Sequence, residues 1–281
     1  MESLTSNKQG RQSVIVDRIG YDKEGHAVYT KLGNGTEATY IYDKQRERLQ
    51  AMNLTADGQT VMENRYRYDA VDNILGITNA ADPTSLTRLN KAKLGGRSMH
   101  TYEYDELNRL IHANGKAKRA SYDMVIWIQT PRPNTTPNTS PGPPVSWNDP
   151  SNPDDPQAGY GYIPNDTTKE ETFFYHSDHL GSTSYITDDH ANITQYDAYL
   201  PYGELLVDEH SSSEDLPYKF NGKEMDAETG LYYYGARYMN PVTSLWYGVD
   251  PLAEKYVATG GYVYTLDNPV RLIDPNNHII R

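Results

Sequence analysis

The chain of 281 residues has no cysteine, which removes disulfides, thiolate metal sites and cysteine nucleophiles together. Basic side chains are the minority, 26 against 38 acidic, for a net charge of −12. That balance argues against a general nucleic-acid binder driven by phosphate neutralisation. No apolar run approaches the roughly 18 residues that a membrane helix needs. The opening Met1-Glu2-Ser3-Leu4-Thr5-Ser6-Asn7-Lys8 has no apolar core, so no signal peptide is read there. Phenylalanine is almost missing, at 3 residues, and tyrosine takes its place with 25.

Aromatic rings pack well on a half-buried pleated surface, so this composition leans towards β structure. Each tyrosine hydroxyl also needs a partner or water. A thin, twisting sheet with partly dry faces meets both demands better than a compact enzyme core. The length allows one large domain or two ordinary ones. Charge is uneven: residues 1–120 carry 18 basic and 15 acidic side chains, net +3, and residues 121–281 carry 8 and 23, net −15. Such asymmetry points to two segments with different surroundings.

A degenerate repeat runs through the first part, taken as residues 1–128. Tyr40-Ile41-Tyr42-Asp43, Tyr66-Arg67-Tyr68-Asp69 and Tyr102-Glu103-Tyr104-Asp105 share one order, and Tyr21-Asp22 with Gly25 is a looser copy. Tyr-x-Tyr puts two rings on one face of a strand. Asp and the Gly or Asn that follows supply a turn. Each unit is therefore a strand, a tight turn and a strand. A hairpin of this size cannot bury its own face, so the units should stack into one continuous sheet.

Residues 129–158 differ, because nine of the 17 prolines fall between Pro131 and Pro156. The span cannot donate a sheet ladder and reads as an extended, disordered insertion. Strands resume over 159–281. Tyr185 to Asp188 and Ile193 to Asp197 should form a hairpin around Asp189 to Asn192. Leu231 to Tyr234 and Tyr262 to Tyr264 read as buried strands. Leu252 to Tyr256, behind Asp250-Pro251, reads as a short helix with Asp as N-cap and Pro at the first position.

Several ordered motifs in this last part carry a resemblance. They are Tyr175-His176-Ser177-Asp178-His179-Leu180-Gly181-Ser182, Tyr199-Leu200-Pro201-Tyr202-Gly203-Glu204 and Phe220-Asn221-Gly222-Lys223-Glu224. Glu228-Thr229-Gly230-Leu231-Tyr232-Tyr233-Tyr234-Gly235-Ala236-Arg237-Tyr238 follows. Val249-Asp250-Pro251-Leu252-Ala253-Glu254-Lys255-Tyr256 and Asn268-Pro269-Val270-Arg271-Leu272-Ile273-Asp274-Pro275 complete the set. Together they resemble the repeat-associated core domain of the Rhs (YD-repeat) shell proteins, in its Bacteroidetes-like wording. The resemblance implies an all-β strip wound spirally into a hollow cocoon, with one or two short helices near its C-terminal end. It implies that the core domain closes one end and precedes a C-terminal toxin that the shell encloses, and that the protein is secreted or at the cell surface. The chain is expected to be a C-terminal piece of such a shell, partnered by upstream repeats and a toxin domain not contained in it.

The resemblance also implies that Asp250 and Asp274, each followed by proline, form an aspartyl self-cleavage site cutting near Ile279. Two carboxylates sharing a proton supply one base and one acid. Ala253 and Asn277 stand where relatives carry glycine, and an arginine that many relatives have near Ser244-Leu245-Trp246 is not there. The plainer reading makes Asp250 an N-cap and Asp274 a turn residue.

His176, Asp178 and His179 invite a metal-hydrolase reading. Adjacent strand residues point to opposite faces, however, so a turn with a hydrogen-bonded His is preferred and no metal or cofactor is expected. Arg237 should stack on rings or pair with a core carboxylate. Tyrosine rows offer carbohydrate stacking as an alternative function, a cell-surface recognition module. Rows at period 2 are more often core. The leading expectation is a toxin-delivery shell segment that encloses and presents an effector, with at most an autoproteolytic activity.

Overall fold

The computed structural model describes residues 3–8, 11–126, 172–211, 216–253 and 260–274. The proline-rich span lies outside them, as does Ile279. Ten strands form the first sheet: β1 (Leu4–Lys8), β2 (Arg11–Tyr21), β3 (Ala27–Leu32), β4 (Glu37–Tyr42), β5 (Leu49–Ala56), β6 (Gln59–Tyr68), β7 (Ile74–Asn79), β8 (Ser98–Tyr104), β9 (Leu110–Ala117) and β10 (Ala120–Val125). Each pairs antiparallel with its neighbours in chain order, the continuous stack that the repeats imply.

The Asp of each repeat builds its turn by one device. Asp69 Oδ1 accepts the amides of Val71 and Asn73, both at 2.9 Å, while its own amide donates to the Asn73 carbonyl at 3.0 Å. Asp22 and Asp105 do the same for residues two and four further on. Asp43 holds Gln45 and Arg46. In the Asp22, Asp69 and Asp105 turns the residue three beyond takes a left-handed conformation, at Gly25, Asp72 and Asn108; in the longer Asp43 turn it is Glu47, four beyond.

The second Tyr of each repeat lies at a bulge beside that turn. Its hydroxyl crosses to the preceding hairpin. Tyr68 Oη donates to the Leu49 carbonyl at 2.7 Å, Tyr104 Oη to that of Ile74 at 2.9 Å, and Tyr42 Oη reaches Ala27 at 3.5 Å. The carbonyl reached opens the second strand of the hairpin before. Phenylalanine could fill the same space but could not satisfy that carbonyl, which accounts for tyrosine at these three positions.

A second sheet holds β11 (Phe174–Ser177), β12 (Thr183–Thr187), β13 (Ile193–Tyr199) and β14 (Leu205–His210), again in chain order. The hairpin expected around Asp189 to Asn192 is β12–β13. The same devices persist: Asp178 and Asp188 build Asp turns, and Tyr199 Oη donates to Thr183 at 2.8 Å. The apolar faces of the two sheets share one core, with Leu54, Met62 and Leu110 against Tyr185, Ile193 and Tyr196.

The third sheet is short: β15 (Glu224–Met225), β16 (Tyr232–Tyr233), β17 (Tyr238–Asn240) and β18 (Leu245–Trp246). A second aromatic core of Tyr202, Phe220, Tyr232, Tyr234, Met239, Trp246 and Tyr264 holds it. Two sequence expectations change here. The strand read over Leu231 to Tyr234 shrinks to two residues, because Gly230 and Gly235 at its ends reverse the chain. Tyr262 to Tyr264 makes only an isolated bridge, from Val263 to Leu245, and Tyr262 is half exposed. The chain there leads into a left-handed turn at Thr265, Leu266 and Asp267. Of the helix read over Leu252 to Tyr256, the described part is a turn capped by Asp250, whose Oδ1 accepts Leu252 N at 2.6 Å. Among the described residues, helical structure is confined to single 3-10 turns such as Phe220–Gly222, and no helix is long and apolar enough to cross a membrane.

Candidate functional site

The segment from Asn268 docks onto the turn edge of the first sheet. Asn268 Nδ2 donates to Asn73 Oδ1 at 3.1 Å and to the Asn108 carbonyl at 2.8 Å. Asn73 Nδ2 bridges to Asn108 Oδ1 at 2.9 Å, so three asparagine side chains, two of them buried, tie two repeat turns to the C-terminal motif. Arg271 reaches the Val71 carbonyl, and His179 Nε2 meets that of Val270 at 2.9 Å. Leu272 N closes back on the Asn268 carbonyl, and Asp274 follows, buried.

Arg237 arrives from the other side. Gly235 turns the chain between β16 and β17, and Tyr234 N donates to the Arg237 carbonyl at 3.0 Å to close that turn. The guanidinium lies over Trp246 of β18, 4.2 Å from the ring centroid. Its Nη2 donates to Asp250 Oδ2 at 2.9 Å and to Asp274 Oδ2 at 3.5 Å. The two aspartates named from the sequence thus meet on one nitrogen. Arg237 does both things expected of it, stacking on a ring and pairing with core carboxylates. Lys223 lies 5.0 Å over Tyr234; burial lowers its pKa, and the charge of Asp274 pulls against that.

Two cations, Arg237 and Lys223, thus gather on the two carboxylates, so the charges of the cluster are matched. Asp250 also caps its own turn through its other carboxylate oxygen, Oδ1. What sequence reasoning did not supply is which arginine serves the pair; Arg237 stands just before β17, eight residues before Leu245.

His176, Asp178 and His179 do not converge. His176 is buried with Nε2 on Thr187 Oγ1 at 2.8 Å, and burial holds its imidazole down at about 4. Asp178 holds its turn, and His179 faces Val270 and stacks edge-on against Tyr66. The metal-hydrolase arrangement is therefore not formed. Among the described residues, Asp188, Asp189 and His190 are the group whose ligand atoms lie close together, on the exposed tip of β12–β13 where Asp188 serves the turn. The repeat tyrosines Tyr66 and Tyr102 are buried rather than presented as a stacking platform.

Fold and sequence place this chain beside the Rhs-type, YD-repeat toxin shells, which it resembles. The crystal structure of TcdB2-TccC3-Cdc42 superposes with a TM-score of 0.72 over 97% of this chain and 20% of that one, at 18% identity. The chain is 34% identical over 115 residues to toxin subunit YenC2 of Yersinia entomophaga, covering 39% of this chain and 11% of that protein. It is 25% identical over 280 residues to tRNA nuclease WapA of Bacillus subtilis (strain 168), covering 95% of this chain and 10% of that protein. It thus spans about a tenth of the curated relatives it matches. No family model matches the chain.

Proposed function

We propose that this chain is a wall and end segment of a toxin-delivery shell that encloses a C-terminal effector, and that Asp250 and Asp274 release it by cutting the chain beyond Asp274. The meeting of both carboxylates on Arg237 Nη2 carries this reading. One carboxylate takes a proton from water, which attacks the scissile carbonyl; the other, protonated, delivers its proton to the leaving nitrogen. Arg237 holds the pair together while its charge offsets their mutual repulsion. The Asn268 dock holds the segment that carries Asp274. The acidic second half suits a basic cargo.

The test is the intact mass of a chain carrying a short reporter after Arg281, beside D250N and D274N forms. Loss of the reporter from the unsubstituted chain alone is expected. An uncut chain in all three arms would leave a scaffold whose aspartates hold Arg237 and a turn.

A further inference from the structure

A second charged cluster, unrelated to Arg237, lies inside the second sheet. Asp197 on β13 is paired in register with Asp208 on β14. Lys219 enters between them, and its side chain and that of Asp197 are fully buried. Lys219 Nζ is 3.2 Å from Asp208 Oδ2 and 3.9 Å from Asp197 Oδ1. Gln195 Nε2 holds Asp197 Oδ2 at 2.8 Å, and His210 Nε2 holds Asp208 Oδ1 at 2.6 Å. The backbone of Lys219 is pinned as well: its carbonyl accepts Thr183 N at 3.0 Å and its amide donates to Lys223 at 2.9 Å. The ammonium cannot swing out to solvent without breaking that edge.

We propose that Lys219 and Asp197 join in an intramolecular isopeptide bond, with Asp208 as the proton relay. Taking an ammonium and a carboxylate out of water favours the neutral pair, an amine and a carboxylic acid. Burial pushes Asp197 up to about 7 although Lys219 pulls the other way, and the charge of Asp208 adds to the rise. Amine and acid are the two reactants of an amide condensation; here both side chains are fully buried, with Nζ 3.9 Å from Asp197 Oδ1, so a small side-chain shift brings them together. The Nζ lone pair attacks Cγ of Asp197. The Cγ–Nζ bond forms, the Cγ–OH bond breaks, and a proton from Nζ passes through Asp208 to the departing hydroxyl, which leaves as water. The step is a condensation and needs no oxidant, nucleotide or metal. Asp208 is about a third exposed, so water has a way out past it, while the buried amide is shielded from hydrolysis. The bond would staple β13 to the segment leading into the third sheet, a covalent seam in a wall otherwise held by hydrogen bonds.

The measurement is the intact mass of the folded, unsubstituted chain, followed by peptide mapping. The expected result is a mass lower by one water and a branched peptide joining Asp197 to Lys219. The D208N chain, with its circular dichroism unchanged, should keep its full mass. Full mass in the unsubstituted chain, with Asp197 and Lys219 recovered in separate peptides, overturns the proposal. So does a loss of water with no branched peptide, the product of a cyclised aspartate.

Discussion

The ten-stranded sheet and the short third sheet are held by opposite means. In the first, one local device recurs: an Asp closes a turn around its own neighbours, and the adjoining Tyr hydroxyl fastens that hairpin to the one before. Each element contacts its neighbours in the chain, so stability is spread along the sheet and no single residue decides it. In the third sheet the strands are two or three residues long, too short to hold by their ladders. An aromatic core and one guanidinium shared by two distant aspartates hold it instead. The contrast separates a repeated sheet, which tolerates insertions between units, from a short end sheet that concentrates its energy on a few long-range contacts.

The largest effect should come from breaking the concentrated side. Arg237→Met leaves Asp274 buried opposite no guanidinium, and breaking a buried ion pair by removing one partner costs roughly 3–5 kcal/mol. Amide exchange should show β15–β18 opening while β4–β9 keep their protection. Simultaneous loss in both would mean that the two regions are not held separately.

Acid probes the junction between the sheets. An unfolded histidine binds a proton below about 6.5, but burial keeps His176 neutral down to about 4. Stability from this residue is complete above 6.5 and is lost as the pH falls towards 4, on the order of 3 kcal/mol. In a chain where the Asp197–Lys219 bond has not formed, Asp197, raised to about 7 by burial, works in the opposite sense and stabilises as the pH falls from 7 towards 4. The reading is therefore the difference between the unsubstituted chain and H176Q in urea unfolding across that range, in which the Asp197 contribution cancels. H176Q should show the weaker loss on acidification.

The smallest effect belongs to the wall. Tyr68→Phe removes one hydroxyl bond to Leu49 and should cost about 1 kcal/mol, read as faster exchange at the β5–β6 boundary. Tyr21→Phe, at an exposed position, should leave stability unchanged. Equal losses in the two would remove the hydroxyl account of the repeat tyrosines.

These differences also explain what could be read from the sequence. The hairpins were legible because Tyr-x-Tyr-Asp sets a strand and its turn within a few residues. The destinations of the tyrosine hydroxyls were not, since Leu49 lies 19 residues before Tyr68 and any backbone carbonyl can accept. Arg237 was legible as a residue needing a ring and a carboxylate, whereas its choice of Asp250 and Asp274 depends on folding. Tyr196-Asp197 looks like one more repeat pair, yet Asp197 lies inside a strand facing Asp208, because the chain continues as Ala198-Tyr199 and does not turn. Tyr262 to Tyr264 alternates like a strand and is overridden by the left-handed turn that follows. Asn268 gives no local signal of its partners, which lie 160 and 195 residues away.

That long-range dock joins the first sheet to the segment that carries Asp274, and Asn268→Ala tests it most directly. Hydrogen–deuterium exchange of this variant should show the Asp69 and Asp105 turns and the strands around Arg237 losing protection together, since Asn268 ties both turns to the segment whose Asp274 Arg237 holds. Loss confined to residues 265–272, with both turns and β16–β18 unchanged, would contradict the account: the C-terminal motif would then rest on the wall without coupling it to the aspartate pair.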